Sequence, residues 1–551
     1  MIDVATMETY SYSLYVVVLT VFISLLCTAL FISLLPPHKK GFLFGKQYVM
    51  PPGPHGELFF GSLRSWLQAR NSGRAKSWVS TISRVEPMNC SLTALCPQHQ
   101  VMEQARHGEL ATLSMGTKTW VLINSGRMLN EIFAKRTKYT HERPYLPIVG
   151  GLVSRDLRPF LKSAADWKDG RRLVHQFIMG APSANHGPIV EDASLGLLRA
   201  YLDEPDDWYA HHYRYAIAIV YKVITNNTID KSKQELNDLQ EVTISFIQSI
   251  SKSMVDFFPQ LSLLPKFMQP WRPQWEKVGT FHYNVFKHWW TGMKGLTNRD
   301  AEPSFLDSVI SEFSGTEDEA MYLVMAVMAA GSDNTRITMH TGIAACVAYP
   351  EAIQRAREEL DRLCGTESLR LPTLDDMPDL PYTCALVKEA LRWRPVVPLL
   401  PPRVLTEDLA IEGYHLPAGT EFMVNMLAVN RQGREKAADF YPERWLDQPG
   451  IDQQQGVGGD AGLGQGLWHF AFAAGKRSCV GYKLAQKEIF LAFARLFYCF
   501  DILPVGEFDA ATKVDTPGIG APFPIKATVR SPAHERMIRD ASQKCTLWGQ
   551  D

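Results

Sequence analysis

The most chemically loaded stretch of the chain is FAAGKRSCVG, Phe472 to Gly481. It sets one thiol, Cys479, between Gly475 and Gly481, with Arg477 two places before it. A thiolate is a strong, soft metal ligand, and nearby guanidinium and backbone N–H groups favour its charged form. A single cysteine ligand to haem iron pushes electron density onto the metal and favours O–O cleavage. Glycines let the backbone bend and approach a flat macrocycle. Arg477 could neutralise a carboxylate of that macrocycle, and Phe472 could cover the sulfur from water. A helix from Tyr482 onward would aim its positive end at the thiolate. A lone cysteine is more often a small buried hydrophobe. The weight therefore rests on the whole arrangement Phe-x-x-Gly-x-Arg-x-Cys-x-Gly.

A second polar group sits in apolar surroundings. Ala330-Gly331-Ser332-Asp333-Asn334-Thr335 lies between MYLVMAVMAA and ITMHTGIAACVAY. An acid beside a hydroxyl can relay protons to a bound oxygen species, so Asp333, Asn334 and Thr335 are the catalytic candidates. Glycine in a helix interior costs about 1 kcal/mol against alanine. A kink and a free carbonyl at Gly331 would be the use of that cost. A solvent-facing polar stripe is the plainer reading, and the apolar flanks argue against it. Further along, Glu389 and Arg392 stand three residues apart on one helical face, able to form a pair.

These pieces resemble the cytochrome P450 superfamily. Phe472, Gly475, Arg477, Cys479 and Gly481 match its haem-ligand loop. Glu389-Ala390-Leu391-Arg392 matches its Glu-x-x-Arg helix, and Tyr441-Pro442-Glu443-Arg444-Trp445 its Pro-Glu-Arg-Phe/Trp segment. The resemblance implies that Glu389, Arg392 and Arg444 hold the haem-side core. It implies that Trp167 and Arg171, from the Trp-x-x-x-Arg helix, and Arg403 meet haem propionates. The cofactor is then haem b, with Cys479 as its axial ligand. The implied fold is the cytochrome P450 fold: mainly α with a small β part, in a single large haem-binding domain. The implied activity is a monooxygenase that oxidises an apolar small molecule, with O2 and electrons passed from NADPH by NADPH-cytochrome P450 reductase. The Gly-Ser-Asp-Asn-Thr-Arg and Lys-Arg-Ser-Cys runs are similar to those of filamentous-fungal members, which implies a tailoring step in secondary metabolism. One departure matters. Asn334 stands where the family's first threonine is usual, and Thr335 matches the second. This keeps open a haem-thiolate isomerase or dehydratase that needs no oxygen activation.

The elements that must position these groups read as follows. Glu109 to Ile123 has a strand–turn–strand pattern with Gly116 at the turn. Glu317 to Ala348 is a long apolar helix interrupted at Gly331, and Leu380 to Trp393 is a helix with Pro381 in its first turn. Val404 to Val424 reads as short strands with turns at Glu412-Gly413 and Ala418-Gly419. Gly481 to Phe500 is a last apolar helix. Met325, Met328, Ala329, Val396, Val397 and Leu399 are candidate walls of an apolar pocket, and Val255 to Trp271 is an apolar, proline-containing segment near its mouth.

The chain begins with an uncharged run, Leu14 to Leu35, about long enough to cross a bilayer as a helix. His38, Lys39, Lys40 and Lys46 follow it and place the body in the cytosol. Residues 1–50 are read as a single-pass anchor of the endoplasmic reticulum membrane with its linker, and 51–551 as the catalytic domain. Residues 71–98 (NSGRAKSWVSTISRVEPMNCSLTALCPQ) form an atypical insertion without a counterpart in the resemblance. They read as a surface insertion or as translated intron; if the segment wrecks folding or haem loading, the chain would be an anchored but inactive product. The 551 residues carry a net charge of −1, which removes any bulk electrostatic case for nucleic acid. The 9 cysteines include no CxxC pair, so neither a zinc site nor a disulfide framework is expected.

Overall fold

The computed structural model describes residues 108–296, 303–366, 370–447, 469–508 and 521–548, with short pieces at 35–36, 38–39, 45–53 and 62–63. The expected anchor run, apart from Leu35, and the 71–98 insertion lie outside the described residues. No helix among the described residues is long and apolar enough to cross a membrane.

The expected hairpin forms from β1 (Leu110–Met115) and β2 (Lys118–Ile123). Gly116 makes the turn at φ +62, and a Cβ there would lie 2.8 Å from the Phe258 ring. Three short strands follow the helices: β3 (Arg403–Val404), β4 (Leu409–Ile411) and β5 (Tyr414–Leu416). Then comes β6 (Glu421–Val424), which pairs parallel to β2 and antiparallel to β3 in a sheet of order β1-β2-β6-β3. β4 and β5 form a separate hairpin. Its turn residues Glu412 and Gly413 both have positive φ, +50 and +79, as a tight two-residue turn requires.

The remainder is helical. The longer helices are α1 (Ala164–Met179), α2 (His186–Asp203), α3 (Trp208–Thr225), α4 (Lys233–Ser249), α5 (Arg272–Lys294) and α6 (Phe305–Glu312). They are followed by α7 (Glu317–Ala348), α8 (Pro350–Cys364), α9 (Pro381–Trp393), α10 (Tyr482–Cys499) and α11 (Pro532–Ser542). β7 (Phe500–Pro504) and β8 (Ile525–Val529) pair between the last two. The α11 helix, mostly polar, follows the last apolar helix, α10.

The α7 helix runs through the middle of the molecule. Thr316 and Glu319 close its N-terminus as a capping box. It packs on α3, and its buried side chains extend from Ala320 to Cys346. The expected interruption at Gly331 is absent: the helix continues through it. A Cβ at Gly331 would lie 2.6 Å from Val220 Cγ2, so the glycine lets α3 approach closely. Met325 and Met328 are buried in the main core, and Ala329 beside them is buried too, so none is on an open face. The α9 helix is held from α8, where the Glu359 carboxylate accepts from the Tyr382 and Thr383 N–H groups at 2.8 and 2.9 Å. Those are orphan donors of a helix start, satisfied by a neighbouring helix.

Candidate functional site

The cysteine loop is two tight turns, Phe470–Phe472 and Gly475–Arg477, that end at α10. Ala473 sits at φ +60 between them. Gly475 has φ +69, and a Cβ there would lie 1.9 Å from the Phe133 carbonyl oxygen. Both conformation and space demand glycine at this position. Gly481 differs: its φ is −82, and a Cβ would meet nothing within 4 Å. Glycine there leaves empty room beside the loop. Phe472 is buried and accepts the Cys479 N–H at 2.9 Å, which folds the loop back on itself.

Cys479 has accessible surface, yet surrounding protein desolvates its thiol and pushes its pKa up. Both hold when a group lines an enclosed cavity. The Gly481 N–H and the Arg171 guanidinium act in the opposite direction, favouring the thiolate.

Four guanidinium groups crowd around this loop. Arg171 on α1 donates to the Ser478 carbonyl at 2.7 Å. Arg477 donates to His141 O and Lys162 O at 3.0 and 2.9 Å. Arg403 on β3 donates to Ala474 O at 2.9 Å and stacks over Phe133. Arg143 donates to Pro401 O and Pro402 O, both at 2.7 Å. Burial pulls the pKa of Arg403 well down, and Arg143, Arg477 and Arg171 pull it further. Arg143 is lowered to about 9 by burial and then by Arg477; Arg477 is lowered to about 10, mainly by burial. Glu142 offsets Arg477 in part. The Nη1 atoms of Arg403 and Arg477 are buried and have no hydrogen-bond partner. A buried, crowded cationic group with unused donors calls for an anion. Trp167 is half-buried on α1, its ring 3.0 Å from where a Cβ on Gly170 would stand.

Behind the loop, Glu389 and Arg392 are fully buried and joined by two hydrogen bonds of 2.8 Å each. Arg444 Nε approaches both Glu389 oxygens at 3.2 Å. Tyr441 N and Trp445 Nε1 also donate to that carboxylate, at 2.7 and 2.9 Å. Arg392 and Arg444 spend their remaining donors on the carbonyls of Glu435, Lys436, Ala437 and Asp439. The structure thus brings together the three residues read as structural, with every charge answered.

The three catalytic candidates on α7 part ways. Asn334 is exposed in the middle of a buried helix, on a stripe with Ala330 and the partly accessible Val327, Gly331 and Ile337. Its Nδ2 donates to Ala330 O at 2.9 Å, so that carbonyl is occupied and not free. Asp333 lies a third of a turn away and pairs with the buried Arg336 at 2.8 Å, which also bonds the Tyr209 hydroxyl. Thr335 donates to Glu488 Oε2 on α10 at 2.7 Å. Only Asn334 of the three is on the accessible stripe.

Comparison with known proteins decides what this arrangement is. Residues 92–525 match the family model described as Cytochrome P450. The chain belongs to the cytochrome P450 family. It is 27% identical to cytochrome P450 monooxygenase fogE of Aspergillus ruber over 508 residues, covering 89% of this chain and 88% of that relative. It is 25% identical to cytochrome P450 monooxygenase yanC of Aspergillus niger, covering 90% and 93%. A solved zebrafish cytochrome P450 with abiraterone superposes with TM-score 0.59 at 21% identity, covering 78% of this chain and 98% of that one, which supports the fold.

The protein is therefore a P450 monooxygenase, an oxidoreductase, and its cofactor is haem held by a cysteine thiolate. The residues present fit that group. The cationic cluster with its unused Nη1 donors suits carboxylate propionates, the thiol is a soft donor on a cavity wall, and Gly481 leaves room beside it. Arg403→Met is expected to raise the thermal midpoint of the haem-free protein, because an uncompensated buried charge is removed, while haem affinity falls about tenfold or more. Haem retained per polypeptide and a melting curve of each form check both signs.

Two residues of this P450 site were not singled out from the sequence. Arg143 carries no motif beyond its place before a proline. Glu488 reads as one more polar position of an apolar helix, yet it is 1% exposed and its Oε1 has no partner. Burial pushes its pKa up to about 8, with the Thr335 hydroxyl opposing. An unfolded glutamate titrates near ~4.3. Between these values the folded state holds a proton that the unfolded chain has released. The stabilisation from this group is thus full below about 4.3 and lost as pH rises through about 8. Glu488→Gln is expected to flatten that slope, gaining most over wild type at pH 9 and least at pH 5. Thermal midpoints across this range test it; parallel curves would assign the slope to another group.

Proposed function

We propose that this P450 is an N-terminally anchored enzyme of the endoplasmic reticulum membrane, with its catalytic domain in the cytosol. It takes electrons from NADPH-cytochrome P450 reductase and oxidises a largely apolar small molecule in a tailoring step of fungal secondary metabolism. The observation that carries the site assignment is the cavity-facing Cys479 beside the crowded Arg143, Arg171, Arg403 and Arg477. The exposed Leu263 and Phe267, at 85% and 88%, support a face toward lipid, with Lys266 between them.

When bound on the Cys479 thiolate, haem supplies the O2 activation that a monooxygenase uses. Arg171, Arg403 and Arg477 would hold its propionates, and Arg143 with Phe133 backs Arg403. The Gly481 N–H and the start of α10 steady the thiolate charge. Asn334 stands on the accessible stripe with its Nδ2 tied to Ala330 O, which leaves its Oδ1 to orient a water by accepting a hydrogen bond from it. Behind it, the Thr335 hydroxyl donates to Glu488, which holds a proton at neutral pH. Asp333 keeps α7 on α3 through Arg336 and Tyr209 and does not face the cavity.

The test is product formation by membranes carrying this chain with the reductase. Product that requires both NADPH and O2 supports the reading. Turnover without either would make it a haem-thiolate isomerase or dehydratase, a second reading that Asn334 in the threonine position favours. An anchored protein that never loads haem would be the inactive product of the 71–98 insertion.

A further inference from the structure

The backbone of the cysteine loop is strained at Ala473. Its torsions are φ +60 and ψ −161. Asn226 has a similar φ of 61, but its ψ of 11 makes it an ordinary left-handed helix cap. The pair of values at Ala473 lies instead in a region that is essentially confined to glycine, because a Cβ crowds the backbone there. The residues after it are relaxed: Ala474 has φ −146 and ψ 164, and Ser478 has φ −62 and ψ 158. The Ala473 methyl is half-buried against the apolar cluster that contains Phe133 and Phe470.

A strained torsion persists only where the surroundings over-determine it. Here they do so from both sides. The peptide that precedes the Ala473 Cα is fixed at both of its polar atoms. Its N–H donates to Phe470 O at 2.8 Å, and its carbonyl, that of Phe472, accepts the Cys479 N–H at 2.9 Å. Upstream, His469 Nδ1 accepts the Ala471 N–H at 3.0 Å. Downstream, Arg403 on β3 holds Ala474 O at 2.9 Å, and the Thr137 hydroxyl accepts the Lys476 N–H at 3.1 Å. Arg171 on α1 holds Ser478 O at 2.7 Å. Rotation of Ala473 toward a negative φ would turn the Phe472–Ala473 peptide and carry Phe472 O away from the Cys479 N–H. The torsion and the place of the cysteine are therefore one mechanical unit, gripped at its carbonyls by two arginines of the cationic cluster.

We propose that Ala473 is a positioning residue for the Cys479 thiolate, held under strain by the grip of Arg403 and Arg171 on the loop. The strain favours a second, relaxed shape of the loop in which the Cys479 N–H no longer reaches Phe472 O. While the grip is closed the sulfur stays in place. When the grip is lost the loop relaxes, the sulfur leaves its position on the cavity wall, and the thiolate takes a proton from solvent to become the neutral thiol. Glycine at this position would keep the same shape without strain and would not need the grip. The arginines that suit the propionates thus also close the thiolate loop, so that carboxylate binding and placement of the sulfur reinforce each other. The spectroscopic arm of the test rests on Cys479 as the haem ligand; the strain itself does not.

Ala473→Gly and Ala474→Gly are compared with wild type in the full-length protein, with and without haem. Ala473→Gly is expected to raise the thermal midpoint of both forms by about 2 °C, because the strain relieved exceeds the freedom that glycine adds to the unfolded chain. Ala474→Gly, at ordinary torsions and buried, is expected to lower it. Hydrogen exchange of the Cys479 amide in haem-free protein is expected to slow severalfold in Ala473→Gly and to quicken in Ala474→Gly. The readout that packing alone would not move is the reduced, carbon monoxide-bound spectrum of Arg403→Met at saturating haem. Arg403→Met is expected to turn part of the thiolate-type band into the neutral-thiol type, and adding Ala473→Gly is expected to restore it. If Arg403→Met does not load haem, Cys479 amide exchange reads the same pair: faster in Arg403→Met, and back to the wild-type rate in the double variant. A midpoint lowered alike by both glycines, or an Arg403→Met defect that Ala473→Gly leaves unchanged, overturns the proposal. A wild-type protein with no thiolate-type band, beside the expected midpoints and exchange rates, overturns the ligand assignment and not the strain.

Discussion

Cys479→Ala is expected to remove the thiolate-type Soret band of the reduced, carbon monoxide-bound protein and to bring oxidation down to the level of a haem-free control. The magnitude follows from the chemistry of the other thiols. Cys346, Cys364 and Cys499 are buried in the core, and burial pushes their thiol pKa values well up, that of Cys364 to about 11. Cys384 is pushed to about 12. None of these offers a thiolate to a cavity; among the described cysteines only Cys479 is exposed. No neighbour can take over, so the loss should be complete and not graded. The spectrum of membranes expressing each form is the check. An unchanged band in the variant would mean that the ligand is elsewhere.

Glu389→Ala should have the second-largest effect, and on folding in place of chemistry. One carboxylate answers Arg392, Arg444, Tyr441 N and Trp445 Nε1 in a site from which water is excluded. Its removal leaves two buried guanidinium groups without a counter-charge. Breaking a buried pair this way costs about 3–5 kcal/mol. Domain stability is only about 5–15 kcal/mol in total. The variant should accumulate poorly and retain little haem, with Arg539→Ala as the contrast. Arg539 pairs with Asp203 and Glu535 on the surface, all about 40% exposed, where water and salt screen the pairs and leave them little net stabilisation. Haem per polypeptide and thermal midpoint should separate the two variants clearly. Equal behaviour would mean that the Glu389 network is not a stabilising element.

How much of the site was readable in advance depended on how local the information is. The turn at Gly116, the capped start of α7 and the start of α9 at Pro381 are each written in a few adjacent residues. Their physics is backbone conformation and helix ends, which act within one or two turns. The pair Glu389–Arg392 is similar, since residues three apart on a helix must face the same way. The interruption expected at Gly331 is absent for the opposite reason. The glycine serves a contact with Val220, which lies far away in sequence. The same limit applies to the acid–amide–hydroxyl run. Three adjacent residues on a helix point in three directions, and α3, α10 and the cavity each receive one of them.

The sequence alone therefore determined the thiol loop, the charged pair behind it, the mainly helical class and the resemblance those motifs carry, because each depends on residue type at short spacing. Tertiary structure decided which charges are answered. Arg392 and Arg158 are both arginines beside apolar residues in the sequence. One meets a carboxylate and two carbonyls, and the other meets only Phe246 and Phe286. Glu488 and the surface Glu535 are likewise alike as letters, but burial moves one to about 8 and leaves it the partner of Thr335. Desolvation and pairing depend on which distant elements close around a group, and that is set by packing and not by its neighbours along the chain.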